Sequence, residues 1–517
     1  MKSRRRFPLD ALLLIVLAAL VVGCPGGDKQ SAATSTGGGM EISVFRPSDI
    51  AQNYSDTLFV DYVQKKFGLK LNYVYVPSSV ATEKLNLSFA TNTYADKLEF
   101  VGTAEVNRLA KDDFIVPLNQ YIDQLANYRK AYTDGDWKTL TDTLSDVRGR
   151  YFILPVKDAK SASSSYVWMF RNAKFQEVGQ PVPKTVQELY DGLKAIKKVN
   201  PKSTIPNRWG IWNALEGFNL AFRTRFDVWK DPDAGNQIVL GAATDKFRDL
   251  LKYMNKLYTE GLLSKEFITM TSEQRMAEFS KGNVYANFQF AGYENSLNSI
   301  AADAKLPQDW KADEANLLLS AYPDKGPMQQ KWPAFLSFGV ALTDRLKDDR
   351  LKKTLEYVNW SCSEEGQLFH EFGVAGESYE VKNGLPTYIG KYLDPAAPDG
   401  YFGLLQNFGP FGYYVIQNEA HAAAAYPGPA RINEVLKDVD AMDYSAIPYR
   451  FTPEEETRQA ELGTVISQIR DEYMQLFIMG PKNPNKDADW NEFQTKLKAA
   501  GLDEYLKILR EANARIN

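Results

Sequence analysis

Arg150 to Asn200 reads RYFILPVKDAKSASSSYVWMFRNAKFQEVGQPVPKTVQELYDGLKAIKKVN, and its reading decides the fold. Tyr151, Phe152, Ile153 and Leu154 make an apolar run ended by Pro155, and Tyr166 to Phe170 make a second; the polar cluster Ala159 to Ser165 separates them. That is strand, loop, strand. Pro183 and Lys184 then lead into Thr185, with Glu188 three residues on, while Val186, Leu189, Tyr190, Leu193 and Ile196 recur at helical spacing. The pattern predicts a capped helix that stops at Pro201. Alone, this unit fits any α/β protein, and the rest of the chain narrows it.

Upstream, Glu41 to Phe45 alternates Ile42 and Val44 with polar neighbours and ends at Arg46 and Pro47, a first strand with a loop at its carboxyl end. Ser55 to Phe67 sets Leu58, Phe59, Tyr62, Val63 and Phe67 on one helical face and stops at Gly68. A strand at Leu69 to Val76, a helix at Ala81 to Ala90 and a strand at Lys97 to Val101 complete β-α-β-α-β, the order of a parallel sheet with right-handed crossovers. Ligands of open α/β sheets gather at the carboxyl ends of such strands. Downstream, helices are expected at Thr244 to Tyr258, after the capping pair Thr271 and Gln274, and after Thr452, Pro453 and Glu455. Strands are expected at Val284 to Phe290 and near Trp332 to Leu342.

With 517 residues the chain is too long for one core and suits two lobes. Apolar content of 44% and charge of 24% are those of a globular protein, while an aromatic content of 13%, with nine Trp and 28 Tyr, is high. Net charge is −4; Lys2, Arg4, Arg5 and Arg6 against Asp10 place +3 in the leader, which leaves about −7 on the remainder and nothing to attract nucleic acid. His370, His421, Cys24 and Cys362 are a poor inventory for zinc. No cofactor is expected. There is no G-x-S-x-G elbow and no phosphate loop, and acidic runs such as Glu364 with Glu365 or Glu454 to Glu456 read as solvated faces and caps, which argues against an enzyme.

Met1 to Arg6 is basic and Ala11 to Val22 is an apolar run too short to span a bilayer, the pattern of an export signal. It closes on Leu20, Val21, Val22, Gly23 and Cys24, which resembles a bacterial lipobox. Residues 1–23 are then a lipoprotein signal peptide, Cys24 is the lipidated residue, and 24–40, rich in Gly, Ser and Thr, is a flexible tether.

Six phrases in order then resemble one family. FIVPLNQYID (114–123), YFILP (151–155), PKTVQELY (183–190), YMNKLYTEGLLSKEF (253–267), NWSCSEEG (359–366) and FGVAGESY (372–379) are similar to phrases of the extracellular solute-binding lipoproteins, family 1 type, of bacterial ABC carbohydrate importers, akin to maltodextrin-binding protein. The resemblance implies an α/β fold of the two-lobed periplasmic-binding-protein type (type II), its lobes joined by crossover strands with a cleft between them. It implies crossings between Pro155 and Tyr166, near Pro333 to Phe338, and within Tyr388 to Gln417. Lobe one would be 41–160 plus 335–390, and lobe two 161–334 plus 391–517.

It further implies a carbohydrate ligand held between aromatic platforms and planar polar groups, ABC permease subunits as partners, a lipid anchor in the membrane, a monomer, and an extracytoplasmic location. Tyr293 falls where the family places a stacking aromatic, and Phe411 to Tyr414 resembles a second platform with Tyr413 in place of tryptophan. Trp212, Glu216 and Phe218 lie in a stretch similar to one that supplies an aromatic and an acid. Arg46 and Asp96, at strand ends, are expected to reach the cleft from lobe one, and Trp332 precedes the second crossing. Some relatives carry a calcium loop after the central helix; Asn200 to Asn207 (NPKSTIPN) lacks carboxylates, so no structural metal is expected. The alternatives are a binding protein for a peptide or other non-sugar solute, and a sensor lipoprotein of the same fold.

Overall fold

The structure is a computed structural model that describes residues 40–516 except 48–56, 147, 158–164, 206–216, 312–317, 332–334, 394–414, 417–419, 421–431, 433–435, 437 and 444–446. Its first sheet contains β1 (Met40–Pro47), β2 (Leu69–Val76), β3 (Lys97–Gly102), β4 (Leu154–Pro155) and, much later in the chain, β11 (Phe338–Leu342), in the order β2-β1-β3-β11-β4. β1 runs parallel to β3, with Val44 opposite Lys97, as the alternating pattern predicts. β11 enters antiparallel between β3 and β4. Leu58–Phe67 is the expected first helix; Gly68, at φ 64, supplies the left-handed C-cap that its N–H closes onto Gln64.

β3 carries a bulge. Glu99 pairs with Val340 and Val101 with Gly339, so Phe100 has no partner opposite, and it sits at φ 56, in the left-handed region. The extra residue bends β3 just before its end, beside the return of β11.

The second sheet is β8 (Ala286–Phe290), β5 (Tyr166–Arg171) and β9 (Trp310–Lys311), in the order β8-β5-β9. All six residues of β5 are buried, which explains why its sequence is an unbroken apolar run instead of an alternating one: both faces are covered. Trp168 and Phe170 pack with Leu189, Leu193, Leu250, Met254, Ile466 and Phe477 on one side, while Val167 and Met169 pack with Val284, Leu297 and Trp310 on the other. The first side is built by the helices Val186–Val199, Asp245–Thr259 and Pro453–Met479, each with its apolar stripe turned inward. The capping boxes expected at Thr185/Glu188, Thr271/Gln274 and Thr452/Glu455 are all formed, with side-chain and backbone bonds in both directions. A hairpin of β6 (Val228–Asp231) and β7 (Gln237–Leu240), a hairpin of β12 (Tyr379–Lys382) and β13 (Leu385–Tyr388), and a parallel pair of β10 (Met328–Lys331) and β14 (Asp440–Asp443) complete the strands described.

The helix Glu364–Phe372 buries two adjacent titratable groups against the first sheet. Burial holds His370 near a pKa of about 3, with Lys97 and Arg46 adding to the effect, and burial pushes the Glu371 carboxyl up to about 8. The two act oppositely on stability. Between about pH 4.5 and 6.5 the unfolded chain holds a proton on the histidine that the fold refuses, while the fold keeps a proton on Glu371 that the unfolded chain has lost, so the slopes offset. Above about 6.5 only Glu371 remains, and stability falls as pH rises toward 8, by about 2 kcal/mol at about 1.4 kcal/mol per unit. Urea unfolding of wild type and Glu371→Gln at pH 6.5 and 8 checks this: the variant should lose that slope, and an unchanged slope would contradict the assignment.

Candidate functional site

The strand order β2-β1-β3 contains a topological switch. From β1 the chain goes to one side for β2 and returns to the other side for β3, so a crevice opens at the carboxyl ends of β1 and β3, at Pro47 and Gly102. The amino end of β11 and the carboxyl end of β4 lie at that same edge of the sheet. There three described segments lie side by side. The N–H of Val156 donates to the Phe338 carbonyl at 3.0 Å, the N–H of Leu336 donates to the Val156 carbonyl at 2.8 Å, and the N–H of Lys157 donates to the Val415 carbonyl at 2.8 Å. Lys157 and Ile416 form a parallel bridge. Leu336–Phe338, Pro155–Lys157 and Val415–Ile416 are thus a short hydrogen-bonded ribbon between two cores.

A groove of about 1110 Å³ runs along Leu336–Phe338. On the first-sheet side it meets Thr103, Ser337 and the helix Asp134–Leu144; opposite stand Trp229 and Lys230 of the β6–β7 hairpin and the aromatic side chains of Tyr449, Phe451 and Tyr505. Flat apolar faces beside hydroxyls and charged groups are the composition that holds a polyhydroxylated solute. The hairpin is braced from behind. Arg223 binds Asp233 through two nitrogens at 3.1 Å and reaches Asp440 at 2.9 Å, while Lys246 pairs with Asp231 at 2.9 Å; the Arg223 hydrogen bonds hold the Asp233 carboxyl down to about 2. Two ion pairs also span from the first-sheet side to the C-terminal segments, Lys111 to Glu456 at 2.8 Å and Arg450 to Asp142 at 3.6 Å. They are exposed, and each contributes about 0–1 kcal/mol.

The sequence candidates separate. Tyr293 follows β8 directly after Ala291 and Gly292; it is half-buried, and its hydroxyl lies 3.6 Å from the Met276 sulfur. It lies outside the groove lining just described. Trp212, Glu216, Trp332, Tyr413 and Cys24 lie outside the described residues.

Three of the candidates are engaged by the protein's own packing. Phe218 is 1% exposed and packs on Trp168 and Tyr253, so it is a core residue with no face to offer a ligand. Asp96 stands at the amino end of β3, about 20 Å of strand from Gly102, where it accepts bonds from the Ser43 N–H and hydroxyl and pairs with Arg350 at 2.8 Å. Arg46 is at the correct end of β1 but is 6% exposed; its guanidinium pairs with Glu99 at 2.6 Å and lies over the Phe100 ring, so it supports the strand ends from within.

Phe290 is a further candidate. It closes β8 opposite Tyr166, 37% exposed, its ring 4.5 Å from that tyrosine, at the point where the first crossing enters the second sheet. The signal available was the alternation of Asn287, Phe288, Gln289 and Phe290, which puts the two phenylalanines on one face of the strand. The loop Asn200–Ile205, where the resemblance places a calcium in some relatives, does not fit that ion: it has no carboxylate, and the Lys197 ammonium donates to the Ser203 carbonyl at 2.8 Å.

Comparison with known proteins accords with this geometry. Lipoprotein LipO of Bacillus subtilis (strain 168) is 24% identical over 414 residues, covering 76% of this chain and 77% of that protein. The polygalacturonan/rhamnogalacturonan-binding protein YtcQ of the same organism is 20% identical over 383 residues, with 71% and 73% covered. Among solved structures, the alginate-binding protein AlgQ2, solved without calcium ion, has a TM-score of 0.72 at 20% identity, covering 93% of this chain and 99% of that one. An EF-hand mutant of the Streptococcus pneumoniae substrate-binding protein FusA, in complex with fructo-nystose, has a TM-score of 0.69 at 15% identity, with 92% and 99% covered. These likenesses give the fold class: α/β, with two lobes joined by crossing segments. The profile of the bacterial extracellular solute-binding proteins matches residues 58–373, more than half of the sequence, and this chain belongs to that family.

Proposed function

We propose that the chain is the substrate-binding lipoprotein of a bacterial ABC importer, taking a carbohydrate, specifically an oligosaccharide, between its lobes and passing it unaltered to the permease subunits. The observation that carries this reading is the ribbon of three crossing segments at the switch point of the first sheet. Small backbone rotations in such a ribbon swing one lobe on the other without disturbing either core. The lobes are divided as 41–160 plus 335–390 and 161–334 plus 391–517, with Cys24 as the lipid anchor of a monomer on the outer face of the membrane. Binding and release require no bond to be broken, so no catalytic residue is assigned. Support for the ligand class comes from the relatives, which bind polygalacturonan, rhamnogalacturonan and alginate, and from the aromatic lining of the groove.

Tryptophan fluorescence titrated with oligosaccharide and peptide panels tests the reading, with small-angle scattering on the same samples. An oligosaccharide should saturate the signal and shrink the particle. Saturation by peptides with no response to any sugar would overturn it. Tyr449→Ala and Phe451→Ala, both in the groove lining, should each weaken sugar binding about tenfold, or about 1.4 kcal/mol, through loss of a stacking face. Unchanged affinity in both would remove the groove from the site.

A further inference from the structure

A second, smaller pocket of about 450 Å³ lies where the end of the helix Val186–Val199, the loop Asn200–Ile205, the turn at Gly261–Lys265 and the helix Ser272–Ser280 meet. Every lining residue falls between 197 and 281, so the pocket belongs wholly to the second sheet's side of the molecule and shares no residue with the interlobe groove. Four lysines line it, Lys197, Lys202, Lys265 and Lys281, against two carboxylates, Glu266 and Glu278. The excess is +2, on a chain whose net charge is −4.

The ammonium groups are placed by the fold. Lys197 lies along Gly261, whose left-handed backbone at φ 70 brings no side chain against it; a Cβ there would stand 3.8 Å from the Lys197 nitrogen. Its ammonium donates to the Ser203 carbonyl at 2.8 Å and has further protons to give. Lys265 donates to the Tyr258 carbonyl and covers the Tyr258 ring, its nitrogen 3.8 Å from the ring centre. Lys281 is the lysine of the four that forms an ion pair among the described residues, with Glu278 at 2.9 Å; Glu278 also accepts from Asn283 at 2.7 Å. Thr204 and Gln274 add neutral polar groups to the lining. Burial, and then the charge of Lys265, push the Lys197 ammonium below its ordinary pKa. The second of these is a repulsion which an anion between the two would relieve.

We infer that this pocket is a binding site for a phosphate-class dianion, held by Lys197, Lys202 and Lys265. Two excess positive charges match a dianion better than the single charge of a carboxylate, and ammonium groups bind phosphate as point charges without demanding a planar partner. The same chemistry is offered by free phosphate and by the phosphomonoester headgroup of phosphatidic acid.

Lysine acetylation of the full-length chain, read by mass spectrometry, tests the site and its source. With inorganic phosphate, against chloride at equal ionic strength, Lys202 and Lys265 should be labelled about threefold less, while Lys382, on a distant hairpin, stays unchanged. Protection that appears on vesicles containing phosphatidic acid, and not on phosphatidylcholine vesicles or with phosphate, supports the site and assigns it to the lipid headgroup. Equal labelling in every arm overturns the inference. Phosphate should also raise Tm, and the double variant Lys202→Gln/Lys265→Gln, which changes two exposed side chains, should abolish that rise. A rise that persists in the variant overturns it as well.

Discussion

Replacing Glu99 by Gln should destabilise the protein by about 3–5 kcal/mol, although the two side chains have nearly the same shape. Glu99 stands between two cations inside the first lobe. Lys97 reaches one carboxylate oxygen at 2.6 Å and Arg46 the other at 2.6 Å, and all three side chains are at most 7% exposed. Lys97 lies over the Tyr357 ring and Arg46 over that of Phe100, each about 4.8 Å from the ring centre. The neighbouring phenols do not supply a negative charge, because burial drives Tyr73 and Tyr357 well above their ordinary pKa and Glu99 drives them further. Burial alone would also raise Glu99, but Lys97 and Arg46 outweigh it and hold the carboxyl below 4.5. The sign follows: this contribution is complete above about pH 4.5 and is lost as pH falls through the lower folded value. Glu99→Gln removes the carboxylate at every pH and leaves two desolvated cations. Urea unfolding at pH 7 and 4 should show a large loss at pH 7 that narrows toward acid. A variant within 1 kcal/mol of wild type at pH 7 would show that the triad is worth little. Because Arg46 ends β1 at the crevice, the same substitution should weaken ligand binding too.

That triad also shows what was legible in the sequence and what was not. Signals confined to a few neighbouring residues were read correctly: the three capping boxes, the glycine after Phe67, and the strand Tyr166–Arg171. Signals that depend on a distant partner were not. Arg46 and Asp96 look alike in sequence, polar residues at the ends of apolar runs, and the difference is made by Glu99 and Arg350. Tyr151 to Leu154 read as a strand, yet the ladder takes Leu154 and Pro155, because pairing is set by where β11 arrives from nearly two hundred residues later. Phe218 and Phe290 are both aromatic residues near a strand end, and which one faces a core is decided by the sheet they meet. The family phrases fixed the two-lobed class because they are spread over the chain, whereas the site is assembled from strand ends, where one residue of register decides between ligand and core.

The second large effect is expected from a single methyl group. Gly339 lies in β11 opposite Pro155, directly after the ribbon segment Leu336–Phe338, and a Cβ built there falls 2.1 Å from the Leu154 carbonyl oxygen and 2.7 Å from the Pro155 Cα. Both obstacles are backbone, so no rotamer change relieves the clash; β11 and β4 must separate. Their separation would strain the bonds Val156 to Phe338 and Leu336 to Val156 that hold the first and second crossings together. Gly339→Ala should therefore cost about 4 kcal/mol, at the top of the range for point substitutions, and what remains folded should bind sugar weakly because the hinge has lost its register. Gly135 provides the contrast. It sits in the helix Asp134–Leu144 with nothing within 4 Å of a built Cβ, and Gly135→Ala should be neutral or stabilising by about 0.5–1 kcal/mol through helix propensity. The urea midpoint of Gly339→Ala should thus fall well below wild type, while that of Gly135→Ala stays level or rises. If Gly339→Ala unfolds where wild type does, β11 and β4 are not in contact, and the hinge must be sought elsewhere in the chain.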